Sequence, residues 1–344
     1  MKILYAVQAT GNGHISRAME LLPFLKEYGE VDLFLSGSNS TLQLDAPIRY
    51  RSKGISLFYD CNGQLDIRKM LSHFHPLHIY QMTKDLPVEK YDVVLNDFEA
   101  ITSLACARKK IPSIQFGHQA SFQSKKTPRP EKINNLGEWI LLHYAKATHY
   151  FGLHFECYDK NIYSPVIKKQ IREAEPTNKG HITVYLPAYC MNQLQSCFSR
   201  FSDLRFEIFA HEIKSPTREH NIVWMPVSKD IFNKSMIGCD GMITGGGFET
   251  PAEGLYLKKK MIAIPISGQY EQQCNAAALK RIGVPVLKSL EELTIEFFEN
   301  WHSQNKCPDI RYKHTTEEIV EELMNKVIRD PHQLDIPYPE SVFY

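Results

Sequence analysis

The stretch GMITGGGFETPAEGLYLKKKMIAIPIS, residues 241–267, decides the architecture. An apolar run is followed by Gly245, Gly246 and Gly247, then by a helix start, then by a second apolar run. Strand, helix, strand in so short a span is the crossover unit of a parallel sheet. Thr250, Pro251 and Glu253 fit the N-cap, N1 and N3 positions of that helix. Capping explains Thr250 and Glu253, but it does not call for three glycines directly behind a strand. Glycines there let a backbone approach a ligand closely, and the N–H groups of the helix start form an anion site. The loop therefore reads either as a loose turn or as a phosphate cradle. Glu253 either folds back on its own cap or reaches a ligand.

The same alternation runs outward in both directions. Apolar strand candidates lie at 2–8, 30–37, 91–97, 112–118 and 147–155, with helical spacing between them. The segment KKQIREAEPTNKGH (168–181) is polar and reads as a linker. Beyond it HITVYLPA, LRFEIFAH, NIVWMPV, GMITGGG, KMIAIPIS and GVPVL are strand candidates. The expected organisation is α/β: a doubly wound domain over 1–165, a linker over 166–180 and a second such domain over 181–314. A helix and tail over 315–344, opened by a Thr/Glu capping pattern, are expected to pack back on the first domain. Ligands in such sheets bind beyond the carboxyl ends of the strands, where the loops 11–13 and 245–247 face one another across a cleft.

Bulk properties narrow the function. The chain has 344 residues and a formal net charge of +1, which argues against nucleic acid as a partner. Its eight cysteines include no CxxC pair, which fits a reducing, cytoplasmic setting. No run approaches the roughly 20 apolar residues of a membrane span, and the N-terminus does not read as a signal peptide. Contact with a membrane would be peripheral, on its inner face; the basic segment FQSKKTPRP (122–130) is the candidate surface, or else it touches a charged acceptor. HFHPLHIY (73–80) clusters three histidines, but Pro76 interrupts the helical spacing a metal site would use, so no metal is expected.

The first glycine loop, Gly11-Asn12-Gly13, is not a dinucleotide fingerprint. Ser16 stands where Gly or Ala belongs, and the next strand ends in Ser36-Gly37 rather than an acidic residue. His14 follows the loop near a helix N-terminus, where the dipole favours a neutral imidazole. It is either a general base or a residue bonded to nearby backbone. Asp97, at the end of YDVVLND, either orients His14 through its other ring nitrogen or caps the helix that follows, with Glu99 in its first turn. His118 reads as a satisfied histidine at a strand end. Glu271, Gln272 and Gln273 open a later helix and suit sugar hydroxyls, or form a solvated first turn.

The run from Gly245 to Leu279 resembles the donor-binding segment of GT-B glycosyltransferases that use nucleotide-activated sugars. The shared pattern is the glycine cluster, Thr250, Glu253, Pro265, Glu271-Gln272 and Asn275-Ala276. GNGHISRAMEL is similar to the glycine loop and histidine of the MurG-like branch. The resemblance implies two Rossmann-like domains facing across a cleft, with the nucleotide sugar on the C-terminal one. It implies diphosphate binding by Gly245, Gly246, Gly247 and the residues up to Thr250, ribose contact by Glu253, and donor-sugar contact by Glu271 and Gln272, with Asn275 completing the pattern. Base reading falls to Pro226 and Val227. The reaction implied is an inverting transfer of a hexosyl or N-acetylhexosaminyl group, from a UDP-sugar by family preference, to a glycan, lipid or small-molecule hydroxyl. No DxD motif stands at a strand end, so no metal and no cofactor are expected. The chain departs from the pattern at Lys258-Lys259-Lys260, where relatives have Gly-x-Pro; a solvated turn is expected there. A sugar-nucleotide 2-epimerase and a non-catalytic nucleotide-sugar binder are the rival readings.

Overall fold

A computed structural model describes residues 1–9, 12–37, 46–53, 75–304 and 307–329. Gly11 and His73 lie outside the described residues. The first half carries strands β1 (Lys2–Gln8), β2 (Glu30–Ser36), β3 (Ile48–Ser52), β4 (Val93–Asp97), β5 (Ile114–Gly117), β6 (His149–Leu153) and β7 (Ile162–Tyr163). Helices α1 (Asn12–Lys26), α2 (Pro76–Asp85), α3 (Ala100–Lys109) and α4 (Asn135–His143) lie between them. The strands form one parallel sheet in the order β3-β2-β1-β4-β5-β6-β7. Its central strands are near-continuous apolar runs because both faces are covered: β4 is buried throughout and β1 after its first residue.

The second half has strands β8 (His181–Tyr185), β9 (Arg205–Ala210), β10 (Thr217–Glu219), β11 (Ile222–Pro226), β12 (Gly241–Thr244) and β13 (Lys260–Ala263). Their order is β10-β11-β9-β8-β12-β13, parallel except for the β10–β11 pair. Helices α5 (Lys169–Arg172), α6 (Met191–Phe198), α7 (Lys229–Gly238), α8 (Glu249–Tyr256), α9 (Tyr270–Arg281), α10 (Ile295–Ser303) and α11 (Thr316–Arg329) complete the chain. Thr315 and Glu318 close a reciprocal cap at the start of α11. That helix packs on α1, and Lys326 Nζ donates to the Tyr163 hydroxyl at 2.8 Å.

In each sheet the strand order reverses once beside the first strand of its half: between β1 and β4, and between β8 and β12. Such switch points are where open α/β sheets hold ligands. His14, in the first turn of α1, and Asp97, the last residue of β4, stand at the end of the first pair, and the triple-glycine loop leaves the second.

Several expectations are corrected. GVPVL forms no strand; Val286 makes a single bridge to Ala263. The segment read as a linker, 166–180, contains the short helix α5. The lysine turn is solvated only at Lys258: Lys259 and Lys260 are buried. Lys259 Nζ donates to the carbonyls of Thr177 and Cys239, each at 2.7 Å, and Lys260 Nζ meets Asp240 at 2.8 Å. The Lys259 ammonium thus gives two backbone carbonyls a donor.

Candidate active site

The N-terminal rim is built from the ends of β1 and β4. α1 begins at Asn12, so Asn12, Gly13 and His14 form its first turn rather than a loop before it. His14 Nδ1 lies 2.8 Å from Asp97 Oδ1. Arg17, one turn further along α1, grips the same carboxylate with two prongs: Nε to Oδ2 at 3.0 Å and Nη2 to Oδ1 at 2.7 Å. Arg17 Nη2 also lies 3.0 Å from His14 Nδ1. Asp97, which only accepts, suits the tautomer with a proton on Nδ1, and Arg17, which only donates, suits the other. In the tautomer that donates to Asp97, Nε2 keeps a free lone pair.

Asp97 is fully buried, which by itself raises a carboxyl pKa. Arg17 and then His14 outweigh that burial and hold it at about 2. Burial likewise works against the Arg17 charge, but Asp97 and Glu249 raise its pKa overall. Asp97 does not cap α3. Glu99 does, accepting from the N–H groups of Ile101 and Thr102 at 2.8 and 2.6 Å. Between them Phe98 sits at φ 55°, a left-handed conformation that costs a side chain on the order of 1–2 kcal/mol. Gly117, at the end of β5, leaves room for the carboxylate: a Cβ there would lie 2.6 Å from Asp97 Oδ1.

The C-terminal rim is built from backbone. α8 starts earlier than expected, with Phe248 at the N-cap position and no side-chain cap. Thr250 is therefore inside the first turn and is not the N-cap, and Glu253 is not folded back on a cap. The three glycines do different things, and none has positive φ. A Cβ on Gly246 would lie 2.7 Å from the Gln272 carbonyl and 2.8 Å from Pro265, so Gly246 permits close packing on α9. Gly247 would meet nothing within 4 Å and is open. Gln272 Oε1 accepts from the N–H groups of Gly246 and Ile266 at 3.1 and 3.0 Å. Asn275, fully buried, donates to the Gly246 carbonyl at 3.0 Å. The Gln272 and Asn275 side chains thus brace the loop.

The rims face one cavity of about 470 Å³, lined by Asn12, Gly13 and Ser16 on one side and by Gly247, Phe248, Glu249 and Thr250 on the other. Lys168, Val227 and Phe232 also line it. It brings the first turn of α1 up to a helix N-terminus that can receive an anion; His14 stands in that turn, beside the lining residues Asn12 and Gly13 but not among them. The sequence profile described as "Glycosyl transferase family 1" matches residues 1–304. The chain belongs to glycosyl transferase family 1. Solved structures agree on the fold. The glycosyltransferase SnogD from Streptomyces nogalater is 14% identical with a TM-score of 0.56, covering 94% of this chain and 99% of that one. Arabidopsis thaliana UGT89C1, complexed with UDP-L-rhamnose, is 11% identical with a TM-score of 0.55 and 97% coverage of each chain. Streptomyces sp. SF2575 SsfS6, complexed with thymidine diphosphate, is 16% identical with a TM-score of 0.52, covering 94% of this chain and 99% of that one. Among curated proteins no sequence matches. The fold is GT-B, with two Rossmann-like halves.

In this glycosyltransferase the remaining sequence candidates divide. Glu253 is buried and pairs with Lys168 at 3.0 Å; burial raises its pKa and Lys168 only partly offsets that. Glu271 accepts from Gln119 Nε2 at 3.1 Å, across the cleft. Val227 lines the cavity, whereas Pro226 ends β11 and is not among its lining residues. His118 is a buried, satisfied histidine. It lies 3.1 Å from the Leu153 carbonyl and 2.8 Å from Asn275, and it stacks on Phe248 at 3.9 Å. Among the described residues no cluster suited to a metal ion occurs. Among them, too, no helix is long and apolar enough to cross a membrane.

Sequence reasoning passed over Arg17, Gly117 and Glu249. A signal existed for Arg17: a cation in the first turns of a helix opposes the dipole and calls for an acidic partner. Glu249 Oε1 accepts from Arg17 Nη1, joining the two rims.

Proposed function

We propose that this enzyme transfers a sugar from a nucleoside-diphosphate sugar, with a UDP-sugar as the first candidate, to an acceptor hydroxyl with inversion. The observation that carries the reading is the His14–Asp97 pair at the first turn of α1, a turn whose Asn12 and Gly13 share one cavity with the uncapped start of α8. His14 Nε2 takes the acceptor proton while the acceptor oxygen attacks the anomeric carbon. The bond to the diphosphate breaks, and the N–H groups of Gly247 and the first turn of α8 stabilise the charge that leaves. A helix N-terminus supplies that stabilisation without a metal, and metal independence is part of the proposal. In-line attack inverts the centre, and the group moved is a hexosyl or N-acetylhexosaminyl unit. Gly245, Gly246, Gly247 and Thr250 frame the diphosphate, Val227 offers its backbone to the base, and Glu253, released from Lys168, is the ribose ligand. Glu271 is the sugar contact, while Gln272 and Asn275 serve by holding the loop.

A thermal-shift screen with UDP-, dTDP- and GDP-sugars tests the reading. Stabilisation by a UDP-sugar, unchanged by EDTA, is expected; stabilisation by none of them overturns it. Incubation with the donor alone separates transfer from 2-epimerisation, which needs no acceptor. We also propose a cytoplasmic enzyme of two domains, 1–165 and 181–314, with the remaining C-terminal segment closing on the first. Limited proteolysis at 166–180 tests the division. For peripheral membrane contact the support is that Ile133, Leu136 and Trp139 are exposed beside Lys125, Lys126 and Lys132. Failure to co-sediment with anionic vesicles removes that part.

A further inference from the structure

A bond between Arg17 and Glu249 ties the cluster around the proposed base to the helix start behind the proposed donor loop. Arg17 is almost fully buried, with Asp97 on two of its nitrogens and Glu249 on a third. A buried guanidinium with each of these edges used is fixed in place, and it fixes what it holds. Glu249 is the first residue of α8, so its carboxylate moves with the donor loop. It lies directly over Gly13: a Cβ on Gly13 would come within 2.6 Å of Glu249 Oε2. Gly13 is thus a glycine for the sake of a residue on the other half of the molecule.

Charge gives this contact a consequence. Asp97 and Glu249 bring two negative charges and Arg17 one positive, which leaves one negative charge unbalanced beside His14. An imidazolium formed at His14 during proton transfer balances it. Without Glu249 the cluster is already neutral, and the proton on His14 becomes a net charge in a partly buried site. The other titratable groups around it are Tyr5 on β1, whose pKa burial and Asp97 raise, and His118 and Glu253, which feel Glu249. Lys168 lines the same cavity.

We infer that Arg17 and Glu249 are positioning residues that make His14 a competent base only when the donor loop is closed on the N-terminal rim. The inference deepens the transfer reading and rests on it for its role in the reaction. The coupling itself is a property of the unliganded chain. Closure brings the second carboxylate to the cluster, Arg17 relays it to Asp97, and Asp97 holds the His14 tautomer.

The test follows the imidazole nitrogen resonances of His14 with pH in the full, unliganded protein, with the peaks assigned by their loss in His14→Gln. Glu249→Gln removes a negative charge, so the pH at which the ring protonates should fall by about half a unit or more. Arg17→Gln removes a positive charge and should raise it by a similar amount. Gly13→Ala should act like a weaker Glu249→Gln, because its methyl group displaces the carboxylate. Arg17→Lys keeps the charge but loses the fork, and it covers the case in which Arg17→Gln does not fold. It should leave the transition near its original pH while loosening the single-tautomer signature. An ion pair that is not coupled to His14 predicts no opposed shifts. Unmoved transitions in both Glu249→Gln and Gly13→Ala overturn the inference. With UDP-glucose as probe, nucleotide release by Glu249→Gln should drop at least tenfold in kcat with KM little changed. Absence of release from the wild-type protein would count against the transfer reading, and the resonance shifts would still decide the coupling.

Discussion

Two carboxylates are fully buried at the facing rims of the cleft, and burial acts on them with opposite results. Asp97 receives two charge-assisted bonds from Arg17 and one from His14, and its pKa falls to about 2. Glu253 has a single partner, Lys168, and its pKa rises. The difference shows that a nearby cation does not by itself bring a buried carboxylate's pKa below its ordinary value. The number and geometry of the bonds decide, because each must offset part of the desolvation. It also separates two ways of building a rim. The N-terminal rim is a network of side-chain charges, and the C-terminal rim is backbone held open by glycine.

The sharpest way to break the comparison is to remove the free nitrogen. His14→Ala should lower turnover by about 10³-fold while nucleotide affinity stays within a factor of two or so; assays of product and of binding on one preparation check it. Asp97→Asn comes next. It leaves the Arg17 charge short of its partner, so a loss of about 3–5 kcal/mol in urea unfolding is expected, together with a drop in kcat. At the glycine loop the two neighbours should part. Gly246→Ala should destabilise by about 1–3 kcal/mol through overpacking. Gly247→Ala should leave stability almost unchanged and weaken nucleotide binding. Equal effects at the two positions would remove the division between a packing glycine and a ligand-facing one. Smallest is Glu253→Gln, expected to change stability by about 1 kcal/mol or less, since Lys168 keeps access to the cavity.

The same pair sets the acid behaviour. The folded value of Asp97 lies below its unfolded value of roughly 4, so its contribution is complete above about pH 4 and is lost as pH falls to about 2. Glu253 has the opposite sign. Its folded value is raised, so its contribution is complete below the unfolded value and disappears as pH rises through the folded one. Unfolding measured from pH 2 to 6 should show the wild-type slope flatten at its acid end in Asp97→Asn and steepen in Glu253→Gln.

Much of this was legible in the residues. Alternating apolar runs gave the inner strands of both sheets but not the edge strands β3, β7 and β10, and once a switch point is expected between β1 and β4 the residues His14 and Asp97 become neighbours despite their separation in the chain. What could not be read depends on approach across the cleft. Glu249 looks like an ordinary first-turn carboxylate until Arg17 is seen opposite it, and Gly13 looks like part of a ligand loop until Glu249 is seen above it. Thr250 and Glu253 satisfy a capping pattern, but the helix begins at Glu249, with Phe248 at its N-cap position stacked on His118. The buried lysines at 259 and 260 are hidden for the same reason: their partners at Thr177, Cys239 and Asp240 come from other segments.

The bonds from Gln272 to Gly246 and Ile266 have a thermodynamic consequence. They tie the loop after β12 to the strand end after β13, so the segment that would meet a diphosphate is already ordered without one. Little chain entropy is left for a ligand to remove, and binding there should show a small entropic penalty in calorimetry. Replacing Gln272 by alanine would return that freedom. The same nucleotide should then bind with an added unfavourable entropy, although the side chain lost need never touch it.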